Sequence, residues 1–248
     1  MRQPPPLVAH RGNALEFPEN TLPAFESALQ LGARFFELDV QLSRDGVPMV
    51  SHDATLARTA GRAGHIWDFD ATALQAISAG EPERFAARFE SVCYPTLAQA
   101  LELRRRWAAA TLFVEIKAES IEQFGHQRVL NAVTACLRDD AAHCVVISFD
   151  YEAVKLVRQH SHIRIGWVLT RYDAAAEQRT RALNPEFLFC NWNKLPAEPI
   201  WRGDWRWCCY EVREANRARA LLDRGVSLIE TMAVRDMCAA LDGGPATP

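Results

Sequence analysis

The sequence predicts an α/β fold, a (β/α)8 TIM barrel with a small subdomain inserted after its second strand. Short β-rich runs alternate with helical patterns along most of the chain. Eight such strands, all but one leading into a helical stretch, fit the 248 residues, close to the roughly 250 that this barrel commonly takes. An open doubly wound sheet is the rival. It needs a Gly-rich phosphate loop after the first strand, and HRGNALEFPEN has one glycine and no G-x-G-x-x-G.

Leu7 to His10 is the first strand. A helix follows over Thr21 to Leu31, with Leu22, Phe25, Ala28 and Leu29 on one face. Asn20 or Thr21 can cap it, and Pro23 is tolerated in its first turn. Phe35 to Val40 is the second strand; Phe36, Leu38 and Val40 point one way, Glu37 and Asp39 the other. The six residues from Gln41 to Gly46 are too few for a parallel crossover. The chain therefore doubles back at Asp45-Gly46 and returns through Val47 to Val50. That hairpin brings His52 to the level of Glu37 and Asp39. Residues 53–94 show no strand-helix rhythm and read as an insertion on the hairpin.

Thr96 to Trp107 is then a helix, Leu112 to Lys117 the third strand and Gln123 to Arg138 a helix. Cys144 to Phe149 is the fourth strand, with a helix over Tyr151 to Gln159; Arg164 to Leu169 is the fifth, with a helix over Asp173 to Leu183. Phe187 to Cys190 is the sixth strand, and Asn191 to Asp204 behind it has no convincing helix. Arg206 to Val212 is the seventh, with a helix over Glu214 to Arg224; Ser227 to Glu230 is the eighth, and Val234 to Leu241 closes a single domain spanning residues 1–248. GGPATP reads as a frayed tail.

Composition excludes several classes. Charged residues are 24% and hydrophobic ones 49%, an ordinary globular balance. A net charge of -3 argues against a nucleic-acid partner. No run approaches the roughly 18 apolar residues of a membrane span, and MRQPPPLVAH has no signal-peptide core. Seven cysteines without a C-x-x-C read as reduced thiols, which points to the cytoplasm. Oligomeric state is not legible.

In such a barrel the active site lies where the strands end. Strand one ends in His10-Arg11, strand two in Glu37 and Asp39, strand three in Glu115 and Lys117. Later strands end in Ser148, Leu169, Asn191, Glu211 and Glu230, with no comparable cluster. Three carboxylates without a thiolate favour a hard divalent cation, Mg2+ or Ca2+, over zinc. Arg11 and Lys117 add positive charge for an anionic substrate. The unperturbed pKa of a histidine side chain is about 6.5, so of His10 and His52 one can take a proton while the other gives one. These parts suit phosphoryl chemistry.

Taken singly, each residue has a structural reading. Glu37 and Asp39 can be core acids paired with Lys117, His52 a loop histidine, His10-Arg11 a strand end and Asn20 a helix cap. Arg104 to Arg106 read as a solvated last helical turn. Trp201, Trp205 and Trp207 read as a cover for the barrel end, or as pocket lining.

HRGNALEFPENT, ELDVQLSRDGVPMVSHDATLART, YPTLAQAL and VEIK, in that order, resemble the glycerophosphodiester phosphodiesterase family. The likeness runs from His10 to Lys117. It implies a (β/α)8 barrel with an insertion after strand two, and hydrolysis of small glycerophosphodiesters to glycerol 3-phosphate and an alcohol. It implies His10 and His52 as the acid-base pair, Glu37, Asp39 and Glu115 as metal ligands, and Arg11 and Lys117 as phosphate contacts. Glu19 and Asn20 would brace that site. The chain departs where members often carry Trp-Thr-Val-Asn at the seventh strand and this one has Tyr210-Glu211-Val212-Arg213. The rival functions are a non-catalytic phosphodiester-binding barrel and a lysophospholipase D-type activity on membrane lysophospholipids. A metal hydrolase of the amidohydrolase kind would want His-x-His after strand one, where this chain has His10-Arg11-Gly12.

Overall fold

In a computed structural model that describes residues 6–241, nine strands form one sheet. They are β1 (Leu7–Ala9), β2 (Phe35–Leu42), β3 (Pro48–Val50), β4 (Thr111–Ile116), β5 (Cys144–Ser148), β6 (Arg164–Leu169), β7 (Phe187–Asn191), β8 (Arg206–Tyr210) and β9 (Leu228–Thr231). All but β3 pair in parallel, and β1 pairs with both β9 and β2, so the sheet closes into a TIM barrel. The tail expected at GGPATP lies outside the described residues.

Period-two alternation sorts the strand side chains into two cores. Val8, Phe113, Val145, Ile147, Val168, Phe187, Phe189, Cys208 and Leu228 fill the barrel. Their neighbours, among them Phe36, Leu38, Val40, Val114, Ile116 and Ile229, face the helices. Gly166 is required by this packing: a Cβ there would lie 2.9 Å from Ile147 and 3.1 Å from Phe189.

The doubling-back after β2 is an antiparallel hairpin, with Val40 opposite Val50 and Leu42 opposite Pro48. Gly46 takes the positive φ of the Asp45-Gly46 turn, 82°. Residues 53–94 are not irregular. They hold three one-turn helices, Ala57–Ala60, Ala71–Leu74 and Pro82–Phe85, around a small core of Met49, Leu56, Ile66, Leu74 and Tyr94. A helix of one turn shows no 3.6-residue period, so the sequence hides it.

Two expectations need correction. The helix expected over Gln123 to Arg138 is two helices, Ala118–Phe124 and His126–Leu137, broken at Gly125 with φ 78°. Trp205 and Trp207 are buried in the outer layer and Trp201 packs against it, stacked on Tyr172 at 3.9 Å, beside the helix-poor connection after β7. The run Arg104 to Arg106 is not simply solvated. Arg104 is buried, and its Nη2 donates to Asp140 at 2.6 Å while Arg105 bonds the same carboxylate. Breaking a buried pair on one side strands the other charge. Arg104→Ala is expected to cost about 3 kcal/mol and lower Tm by roughly 6–12 °C, read by thermal unfolding; a Tm within a degree of wild type would mean Arg105 suffices alone.

No helix among the described residues is long and apolar enough to cross a membrane.

Candidate active site

The two acids of β2 and Glu115 of β4 share the barrel's inner face because Asp39 stands opposite Glu115 in the β2–β4 register. Carboxylate oxygens of Glu37, Asp39 and Glu115 all lie within 4.8 Å of one another, and all three residues are buried. Lys117, just past the end of β4, donates from Nζ to Glu115 at 2.8 Å and sits 3.2 Å from Asp39.

The loop after β1 supplies the second cation. Arg11 has φ 56° and Gly12 φ 83°, a left-handed turn that packs against the following helix. A Cβ on Gly12 would meet Ala24 at 2.7 Å, so the turn admits only glycine there. This turn lets the Arg11 backbone N–H donate to Glu37 Oε2 at 3.0 Å. The guanidinium donates to Glu19 at 3.0 Å and lies 3.3 Å from Asp39. Asn20 is not the helix cap. It too is left-handed, φ 57°, a region asparagine tolerates. Its side chain donates to Asp39 Oδ2 at 2.9 Å and accepts from the Asp39 N–H at 3.1 Å. Glu19 is fixed from three sides: Arg11, Arg58 at 2.7 Å, and Glu81, which accepts from its backbone N–H at 2.6 Å.

The hairpin carries His52 to this end of the barrel. The Ser51 N–H donates to the Asp39 carbonyl at 3.0 Å, and Gln41 Nε2 donates to the His52 carbonyl at 3.1 Å. His52 Nδ1 lies 2.6 Å from Asp53, and Arg58 Nε donates to the other oxygen of Asp53 at 2.8 Å. His10 and His52 line one cavity of about 420 Å³ with Arg11, Glu115 and Lys117. Ile147, Phe149, Val168, Phe189, Trp192 and Tyr210 add apolar and aromatic lining, alongside Asn191 and Asn193.

Two acids set aside at the sequence level join this site. Glu230 of β9 stands opposite Val8, faces the barrel interior, and groups with His10 and Glu37 within 4.8 Å. Glu211, after β8, places Oε1 3.1 Å from His10 Nδ1. The late strand ends form no comparable cluster of their own; because the barrel closes and β9 lies beside β1, their two acids join the cluster of the first strands. The sequence signal was present in two acids at successive strand ends.

The charges do not balance. Four buried carboxylates, Glu37, Asp39, Glu115 and Glu230, face Arg11 and Lys117. Burial raises the pKa of Glu37 well above the carboxylate range, helped by Asp39, Glu230 and Glu115. Burial also raises Glu115 and Glu230, each with help from neighbouring acids. Asp39 goes the other way: Lys117 and Arg11 outweigh its burial and hold it low. Burial would lower Lys117 and Arg11, but the surrounding acids raise both. Burial lowers His10 despite Glu211, and contact with His10 holds Glu211 down at about 2. Glu37 Oε1 is buried with no hydrogen-bond partner. An orphaned acceptor inside an acid surplus fits a divalent cation bound by oxygen ligands.

Comparison with known proteins agrees with this geometry. The model of the glycerophosphoryl diester phosphodiesterase family matches residues 10–231. The glycerophosphodiester phosphodiesterase of Caldanaerobacter subterraneus is 32% identical over 162 residues, covering 64% of this chain and 65% of that one. Human glycerophosphodiester phosphodiesterase 1 is 34% identical over 94 residues, covering 38% and 28%. The chain thus spans less than two thirds of the length of either relative. Among solved structures, the Agrobacterium tumefaciens glycerophosphodiester phosphodiesterase superposes with a TM-score of 0.78 at 25% identity, over 94% of this chain and 98% of that one. A phosphodiesterase of Oleispira antarctica, solved in complex with the product sn-glycerol-3-phosphate, shares the fold with a TM-score of 0.84 at 23% identity, over 97% and 98%. With barrel, acid cluster and family match in register from His10 onward, the chain belongs to the glycerophosphoryl diester phosphodiesterase family.

Proposed function

We propose that this protein hydrolyses small glycerophosphodiesters to glycerol 3-phosphate and an alcohol, with a divalent cation. One observation carries the reading. Three buried carboxylates converge within 4.8 Å beside a cavity that two histidines, an arginine and a lysine also line. Glu37, Asp39 and Glu115 would hold the cation. Bound there, it supplies charge stabilisation for the phosphate oxygens. Arg11 and Lys117, on the flanks of the acids, contact the phosphate and fix its orientation. One histidine takes a proton from the attacking oxygen, which is water or a hydroxyl of the substrate's own glycerol. The bond from phosphorus to the alcohol oxygen breaks, and the other histidine protonates that oxygen as it leaves; where the glycerol hydroxyl attacks, the cyclic phosphate so formed is opened to glycerol 3-phosphate by water in a second step, with the histidines exchanging parts. Glu19 and Asn20 hold Arg11 and Asp39 and so keep the phosphate end rigid. Either Mg2+ or Ca2+ satisfies an all-oxygen ligand set.

The test is a turnover assay on glycerophosphocholine, glycerophosphoethanolamine and a lysophospholipid, with Mg2+, Ca2+ or excess EDTA, and with products identified. The expected result is glycerol 3-phosphate from the two soluble substrates, lost in EDTA and restored by one of the cations. Full turnover in EDTA contradicts the cation. Substrate binding without product favours a non-catalytic barrel. Release of choline from the lysophospholipid alone favours the lysophospholipase D-type activity.

A further inference from the structure

The acid-base reading leaves one question that the geometry answers: which nitrogen of His10 does the work. The His10 ring lies between two acids. Its Nε2 faces Glu37 Oε2 at 4.0 Å, on the side of the acid cluster, and its Nδ1 faces Glu211 Oε1 at 3.1 Å. That distance is within reach of a hydrogen bond, although the pair is not yet aligned for one. Such contacts commonly tighten only when substrate binds.

Glu211 is itself held. Trp192 Nε1 donates to its carbonyl at 3.0 Å, and the N–H of the next residue, Val212, donates to the Glu230 carbonyl at 2.9 Å. Its second carboxylate oxygen, Oε2, sits 3.4 Å from Arg213 Nη2, which leaves Oε1 for the imidazole. Across the cavity the same arrangement recurs. His52 Nδ1 meets Asp53 Oδ1, whose other oxygen is bonded by Arg58. Each histidine thus has a carboxylate on Nδ1 and an arginine behind that carboxylate. For His10, both supports come from the run in which the chain departs from Trp-Thr-Val-Asn.

We propose that Glu211 is the positioning residue of His10: by accepting a hydrogen bond from Nδ1–H it fixes the imidazole in the tautomer whose bare Nε2 faces the phosphate site. A carboxylate accepts and never donates when ionised, so it selects the Nδ1–H form. Nε2 is then the nitrogen of His10 that exchanges a proton with the reacting oxygens, as Nε2 of His52 is by its contact with Asp53. The assignment rests on the acid-base reading above.

The experiment combines nitrogen-15 NMR of the imidazoles with kinetics on the whole chain, for wild type, Glu211→Leu and Glu211→Gln. Signals of His10 are identified by their loss in His10→Gln, and spectra are taken above the ordinary histidine pKa. Wild type is expected to show His10 protonated at Nδ1. Glu211→Leu is expected to move it toward the Nε2–H form, and Glu211→Gln to mix the forms, since an amide either accepts or donates. Glu211 is one-third exposed, and Glu211→Gln keeps its volume should the leucine variant fold poorly. The kcat on glycerophosphocholine is expected to fall about 10- to 100-fold with KM within about twofold. An unchanged Nδ1–H tautomer in both variants overturns the proposal whatever the rates do. So does a rise in KM at constant kcat, which would make Glu211 a substrate contact. If wild type turns over no glycerophosphodiester, the functional reading fails, and the tautomer measurement still decides the role of Glu211.

Discussion

His10→Ala and His52→Ala are each expected to lower kcat on glycerophosphocholine by about 10²- to 10⁴-fold, the range that general acid-base catalysis contributes. On the proposed mechanism the two substitutions remove different proton transfers: one leaves the attacking oxygen without its proton acceptor, the other leaves the departing alcohol without its donor. Groups that act as one unit do not add, so the double variant is expected to lose little more than the worse single variant. Binding is expected to survive, because Arg11 and Lys117 keep their acid partners when either imidazole is gone. The measurements are steady-state kcat and KM for the three variants, with thermal unfolding to confirm the fold. A double variant within tenfold of wild type would remove both histidines from the reaction.

The early half of the site was legible because each part is local. Glu37 and Asp39 alternate with Phe36, Leu38 and Val40, so strand periodicity alone puts both acids on one face, as the two cores confirm. The return of His52 follows from six residues and an Asp-Gly turn, which permit only a hairpin. Glu211 and Glu230 were visible as strand-end acids, but their meeting with His10 depends on barrel closure, a contact across most of the chain length. The role of Asn20 was hidden for a different reason. Its side chain fits the start of a helix as well as it fits Asp39, and only the left-handed backbone at Arg11 and Asn20 decides between them. Arg104 shows the same limit: a basic last turn looks solvated until Asp140 arrives from another element. Local pattern reads faces and turns; it does not read which faces the tertiary fold brings together.

Glu37→Gln separates the cation site from the rest of the fold, because it removes charge without removing volume. In metal-free protein Glu37, Glu115 and Glu230 have raised pKa values, caused first by burial and then by one another. An acid whose pKa is raised on folding binds more protons folded than unfolded, so it makes stability fall as pH rises through that interval. His10, lowered by burial, works in the opposite direction, but only below the ordinary histidine pKa of about 6.5. Asp39 and Glu211, both held low, have delivered their full contribution well below that pH. From the ordinary glutamate pKa of about 4.3 upward, therefore, the raised acids make metal-free wild type lose Tm as pH climbs. A divalent cation at 100 times its Kd adds about 2.7 kcal/mol, or roughly 5–10 °C of Tm, and its effect grows with pH as it displaces the protons. In Glu37→Gln the orphaned Oε1 becomes a neutral amide oxygen and one buried charge disappears. Metal-free Tm is expected to hold or rise, the pH slope to flatten, the response to Mg2+ or Ca2+ to shrink to a small fraction, and activity at saturating cation to fall about 10²- to 10³-fold. A Glu37→Gln protein that still gains the wild-type increment of Tm from the cation would place the ion elsewhere. The surplus of buried carboxylates would then need protons, not metal, as its natural counterweight.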